Sequence, residues 1–115
     1  MSDRLCLEWH DFQSTVTSAF QEFRSSRDFC DVTLAYEDGH QVEAHKVVIS
    51  ASSLFFHDLL RRHKHPFPII FIKGMKSEDL NSIVDFMYFG KVIVHREKLD
   101  AFFVAAEELR VKGLK

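Results

Sequence analysis

Little in this sequence is built for chemistry or for crossing a membrane. Its 115 residues hold only two cysteines, Cys6 and Cys30, which have neither metal-ligand spacing nor the density of a disulfide-stapled secreted domain. Reduced thiols and an intracellular protein are expected. The four glycines, at 39, 74, 90 and 113, are scattered, so there is no glycine-rich phosphate loop, and neither a nucleophile elbow nor a His-Glu-x-x-His motif occurs. The longest apolar run, Phe67 to Ile72, falls far short of the ~20 residues that span a bilayer. Charge of one sign is missing too: 15 Lys and Arg stand against 17 Asp and Glu, and no basic stripe balances the phosphates of a nucleic acid. Seven histidines suggest a metal, but the only close pair, His63 and His65, sits in a basic run that repels a cation. No catalytic residue, metal site or cofactor is expected.

What the chain does have is apolar surface. It is 46% hydrophobic with twelve phenylalanines, more than one small core readily absorbs, which favours apolar surface held back for a partner. One domain, residues 1–115, accounts for the length.

Asp31 to Phe56 organises the rest. Val32 and Leu34 alternate with Thr33 and Ala35, Asp38-Gly39 is a turn signal, and Val42 and Ala44 resume the alternation, so the spacing predicts a hairpin. Val47 to Ile49 and Leu54 to Leu60 are too long and too apolar for another strand and predict a buried helix, or two in succession. Leu5, Leu7 and Trp9 alternate with polar neighbours and predict a short strand, which needs a partner. Asp11 is expected to cap a helix bearing Phe12, Val16, Ala19, Phe20 and Phe23 on one stripe; that stripe packs either on the domain's own core or on another surface. Arg61-Arg62-His63-Lys64-His65 reads as a solvated loop with nothing aromatic among it. Ile69 to Ile72, apolar on both faces, reads as a buried strand. Ser77 with Glu78 and Asp79 marks a helix start, and the stripe Leu80, Ile83, Val84, Met87 runs to a stop at Gly90. Lys91 to Val94 is expected as a short strand, and Glu97 to Leu109 as an amphipathic helix.

These residues carry a resemblance. Asp31-Val32-Thr33-Leu34, Ala44-His45-Lys46, Ser50-Ala51-Ser52, Phe55-Phe56, Asp85-Phe86-Met87-Tyr88-Phe89-Gly90 and the closing Ala105 to Leu114 resemble the signature of the BTB/POZ domain. The extra Leu5, Leu7, Trp9 segment is similar to the Tramtrack/Bric-à-brac type of arthropod transcription factors. The resemblance implies an α+β fold, a helical cluster flanked by a short mixed sheet, that acts by association.

The resemblance implies an obligate homodimer in which residues 5–10 are exchanged to pair with the partner's Lys91 to Val94, making Leu5, Leu7, Trp9, Phe12, Val16, Ala19, Phe20, Phe23, Val92 and Val94 interface residues. Asp31 and Lys46 would lie in a charged pocket at that interface; read from the residues alone, they either start a strand and a helix or pair out of water. His45 is expected as a hydrogen-bonded structural residue. Phe67, Ile69 and Phe71 are the candidates for joining dimers into tetramers or hexamers, with the resemblance favouring the hexamer. It also implies a nuclear regulator of transcription or chromatin whose DNA-binding part lies elsewhere, with other BTB domains or corepressors as further partners.

The alternative is a substrate adaptor of a cullin ubiquitin ligase. Adaptors usually add a helical pair after the closing helix, and none is expected in a chain that stops at Lys115. The tetramerisation domains of potassium channels, also related, lack the amino-terminal strand. One departure stands out: Leu7-Glu8-Trp9-His10 occupies the place of the usual Leu-Arg-Trp-Asn, reversing a charge.

Overall fold

The computed structural model describes residues 3–114; Met1, Ser2 and Lys115, the ends of the expected 1–115 domain, lie outside them. The α+β architecture follows from two periodicities in the chain. Helix α1 (Phe12–Ser26) leads into a hairpin of β1 (Val32–Tyr36) and β2 (Gln41–Ala44), paired antiparallel with Leu34 opposite Val42. Period two buries Val32, Leu34, Tyr36, Val42 and Ala44 on one face. The Asp-Gly signal is used in full. Gly39 takes φ +87° and the Asp38 carboxylate accepts the His40 N–H at 3.0 Å.

Two helices follow, α2 (Lys46–Ser52) and α3 (Leu54–Arg62). Ser53 breaks them apart in an extended conformation and serves both neighbours. Its hydroxyl oxygen accepts the Phe56 N–H at 3.1 Å, capping α3, and donates to the Leu109 carbonyl at 2.5 Å. That second bond, with a single bridge between Ser53 and Val111, ties the end of the chain to its middle. Arg61 and Arg62 belong to the last turn of α3, where cations complement the helix dipole, so the basic run is only in part a loop.

Strand β3 (Ile69–Ile72) pairs with β1 in parallel, completing the order β2-β1-β3 and leaving β3 at an edge. Here the expectation of a buried strand fails. Ile69 and Phe71 are exposed and Ile72 is buried, because only one face of the sheet is covered by helices. Helix α4 (Ser77–Phe89) carries Leu80, Ile83 and Val84 into the centre and stops at Gly90 (φ +74°), whose N–H bonds the Phe86 carbonyl. Ser77 is its first helical residue and not its cap; Lys76 holds that position, with no side-chain cap. A 3-10 turn (Arg96–Lys98) leads into α5 (Leu99–Glu108), which buries Phe102, Ala105 and Ala106.

Leu34, Ile49, Phe56, Leu80, Ile83 and Val84 are fully sequestered, and each contributes about 1.5–3 kcal/mol by leaving water. The two short strands expected outside this core are not present in the single chain. Residues 5–10 and 91–94 form no ladder, which is the physical outcome for lone short strands with no second backbone beside them.

Candidate protein interaction surfaces

Helix α1 buries none of its residues. Val16, Ala19, Phe20 and Phe23 are half-buried and Phe12 is exposed, so the chain's own core does not consume the stripe. Asp11 makes no side-chain cap; its carbonyl accepts the Thr15 N–H and the Ser14 hydroxyl. Ahead of the helix, Leu5 is 87%, Leu7 90% and Trp9 59% exposed, with Trp9 edge-on to Phe12 at 5.3 Å. Of the twelve phenylalanines only Phe56 and Phe102 are buried, while Phe12, Phe29, Phe67, Phe71, Phe89 and Phe103 are exposed. The excess is on the surface.

The carboxy-terminal end of α1 is fixed by polar contacts. The Arg24 guanidinium reaches Asp85 on α4 at 3.2 Å and lies 5.8 Å from the centre of the Tyr88 ring, leaving its buried Nε without a partner. Beyond the helix, His45 joins three segments. Its Nε2–H donates to the Asp28 carbonyl at 2.7 Å, so its Nδ1 is the acceptor for the Tyr88 hydroxyl at 2.6 Å, and the Tyr88 oxygen accepts the His45 backbone N–H at 2.9 Å. His45 is buried and hydrogen-bonded, as its place in Ala44-His45-Lys46 led us to expect. Burial pushes the Tyr88 phenol up to about 12, against a smaller lowering from the His45 N–H, and pushes Tyr36 to about 12 as well. Burial also raises the Cys30 thiol, which contacts His45 at 3.7 Å. That thiol is therefore a poor nucleophile.

Asp31 and Lys46 meet, but not as two charges. The Asp31 carboxylate accepts the backbone N–H of Lys46 at 2.7 Å, satisfying a free donor at the start of α2, and the Lys46 ammonium donates to the His65 carbonyl at 2.6 Å. Both side chains are only partly buried. Within the single chain the two residues meet in a helix-start contact.

Phe67, Ile69 and Phe71 are 69%, 71% and 59% exposed. With Thr33 opposite Ile69 and Ala35 opposite Phe71, they form the open face of the sheet. Val92 and Val94 are half-buried against the core, whereas Ile93 between them is 97% exposed. Ile93 and Phe29 are surface residues that the sequence did not single out. The signal for Ile93 lay in its alternation with two valines; Phe29 gave none. Among the described residues no three His, Cys, Asp or Glu side chains gather to hold a metal, and no helix is long and apolar enough to cross a membrane.

The fold and these surfaces define a class of protein. The BTB/POZ domain profile matches residues 20–115, and the chain belongs to that family, a protein-interaction module. It is 44% identical over 113 residues to protein tramtrack, alpha isoform, of Drosophila melanogaster, covering 98% of this chain and 14% of that protein. It is also 44% identical to the Drosophila longitudinals lacking protein-like, covering 94% of this chain and 84% of that one. The BTB domain of zebrafish PATZ1 superposes with a TM-score of 0.80 at 22% identity, over 95% of this chain and 89% of that one, showing the same fold. The chain spans only about a seventh of the longer relative's length.

Proposed function

We propose that this BTB/POZ domain is a homodimerising module whose two copies exchange residues 5–10. The observation that carries this reading is the uncovered apolar surface running from Leu5 through Phe12, continuous with an α1 that buries nothing. In the dimer the two α1 helices face each other through Val16, Ala19, Phe20 and Phe23. The Leu5 to Trp9 segment pairs with the partner's residues 91–94, whose backbone forms no ladder in the single chain. Asp31 and Lys46 lie close to this interface.

Dimers then associate through the open sheet face and the free edge of β3, where Phe67, Ile69 and Phe71 are presented. In the full-length protein the module regulates transcription or chromatin in the nucleus. Association raises the effective concentration of DNA-binding elements carried elsewhere, and this domain makes no direct nucleic-acid contact.

Light scattering of the domain and of a truncation lacking residues 1 to 10 tests the exchange. The truncated chain is expected to unfold at lower temperature and to lose mass. Unchanged stability with an unchanged dimer mass would refute it.

A further inference from the structure

Two segments of this chain carry alternating faces without a backbone ladder. Val92 and Val94 are half-buried against the core, while Lys91, Ile93 and His95 between and beside them are exposed. That is the period of a strand with its edge open. The amino-terminal segment has the matching pattern, with Leu5, Leu7 and Trp9 on one parity and Arg4, Cys6 and Glu8 on the other, all of them exposed. Glu8 and Lys91 make no ion pair among the described residues.

Parity restricts how two such segments can pair. Leu5, Leu7 and Trp9 must share a face with Val92 and Val94, because that is the face the core shuts off from water. In antiparallel order, Leu7 opposite Val92 places Leu5 on Val94, Cys6 on Ile93 and Glu8 on Lys91. Trp9 then falls over Gly90, where nothing in the chain lies within 4 Å of the place of a side chain, so the indole has room. A slip of two residues one way sets Glu8 against Ile93 and leaves Leu5 opposite Arg96 in the 3-10 turn; the other way runs Trp9 into α4. The parallel orders set Arg4 against Lys91 or Glu8 against Ile93. Only the first arrangement joins opposite charges while covering all three apolar side chains.

Given the strand exchange proposed above, on which this rests, we infer that Glu8 pairs with the partner's Lys91 and that this pair selects a second copy of the chain as the partner. Two-fold symmetry makes the contact twice in each dimer. A foreign chain with a cation at the strand position of Glu8 brings it against Lys91 and is disfavoured.

The test is a charge swap. Glu8→Lys and Lys91→Glu should each weaken self-association, and one chain bearing both changes should recover it. Co-expressed with tags of different mass, the two single variants should give heterodimer as about four-fifths or more of the dimer counted by native mass spectrometry, against about half by chance. Glu8→Lys co-expressed with Arg96→Glu should mix at random. Random mixing of Glu8→Lys with Lys91→Glu, an equal excess with Arg96→Glu, or no recovery in the double variant would overturn the pairing and leave the exchange in place. A dimer mass unchanged on removal of residues 1 to 10 would instead remove the exchange itself, and the pairing with it.

Discussion

The carboxylate of Asp31 holds the backbone N–H of Lys46 at 2.7 Å, while the Lys46 ammonium turns to the carbonyl of His65. The carboxylate therefore anchors the start of α2 to the start of β1 without needing the lysine charge. Hydrogen bonds to a charged group are worth about 1.5–3 kcal/mol, so Asp31→Ala is expected to lose that much unfolding free energy in urea. Lys46→Met should stay within about 0.5 kcal/mol, as for an ordinary surface change. Equal losses in both variants would restore the ion pair.

Tyr88→Phe removes one hydroxyl and orphans two groups of His45, its backbone N–H and its Nδ1. Each buried orphan costs about 1–3 kcal/mol, so a loss of at least ~2 kcal/mol is expected in chemical denaturation. Nitrogen chemical shifts of the His45 ring should report the Nε2–H form in the parent chain.

Alkali should unfold the domain earlier than its composition suggests. The phenols of Tyr36 and Tyr88 sit at about 12 in the fold against an ordinary 10.0, because burial disfavours the anion. Below pH 10 the phenols are protonated in both states and the contribution is fully present. As pH rises from 10 towards 12, the unfolded chain releases its protons first, and stability falls. Unfolding free energy measured across that window should decline, and Tyr88→Phe should flatten part of the slope.

Trp9 is the only tryptophan and is 59% exposed in the single chain. Strand exchange would cover it, so its emission should shift to the red as the protein is diluted through the dimer dissociation range. Emission independent of concentration, alongside a falling mass, would place Trp9 outside the interface.

Phe71→Glu puts a charge on the open sheet face without entering the core. Masses above the dimer should disappear in light scattering while the dimer itself and its melting temperature persist. Multimers that survive this change, and Ile69→Glu as well, would move the contact away from β3.

The hairpin and α4 were legible in the sequence because each obeys one period and ends in a turn or stop signal, Asp38-Gly39 and Gly90. Strand β3 was misread for a corresponding reason. Ile69-Ile70-Phe71-Ile72 is apolar at every position, so nothing in it tells which parity faces solvent; that is decided by the helices lying on only one side. Residues 5–10 and 91–94 are strands only if another backbone supplies the ladder, which their own side chains cannot. The link between Asp31 and Lys46 was legible as a pair of residues but not as a contact type, because a backbone N–H leaves no mark in a list of side chains. Tyr88, the partner of His45, lies 43 positions away in the chain, and only folding brings them together.

The parallel pairing of β3 with β1 has a kinetic consequence. Thr33 meets Ile69 only after the chain between them, including β2, α2 and α3, has been looped back, and such distant contacts are made late because closure entropy must be met first. The hairpin and the helices can form from near neighbours. Pulsed amide exchange during refolding should therefore protect β2 before β3, so the newly made chain holds its most apolar edge open for longest, when other copies are close by.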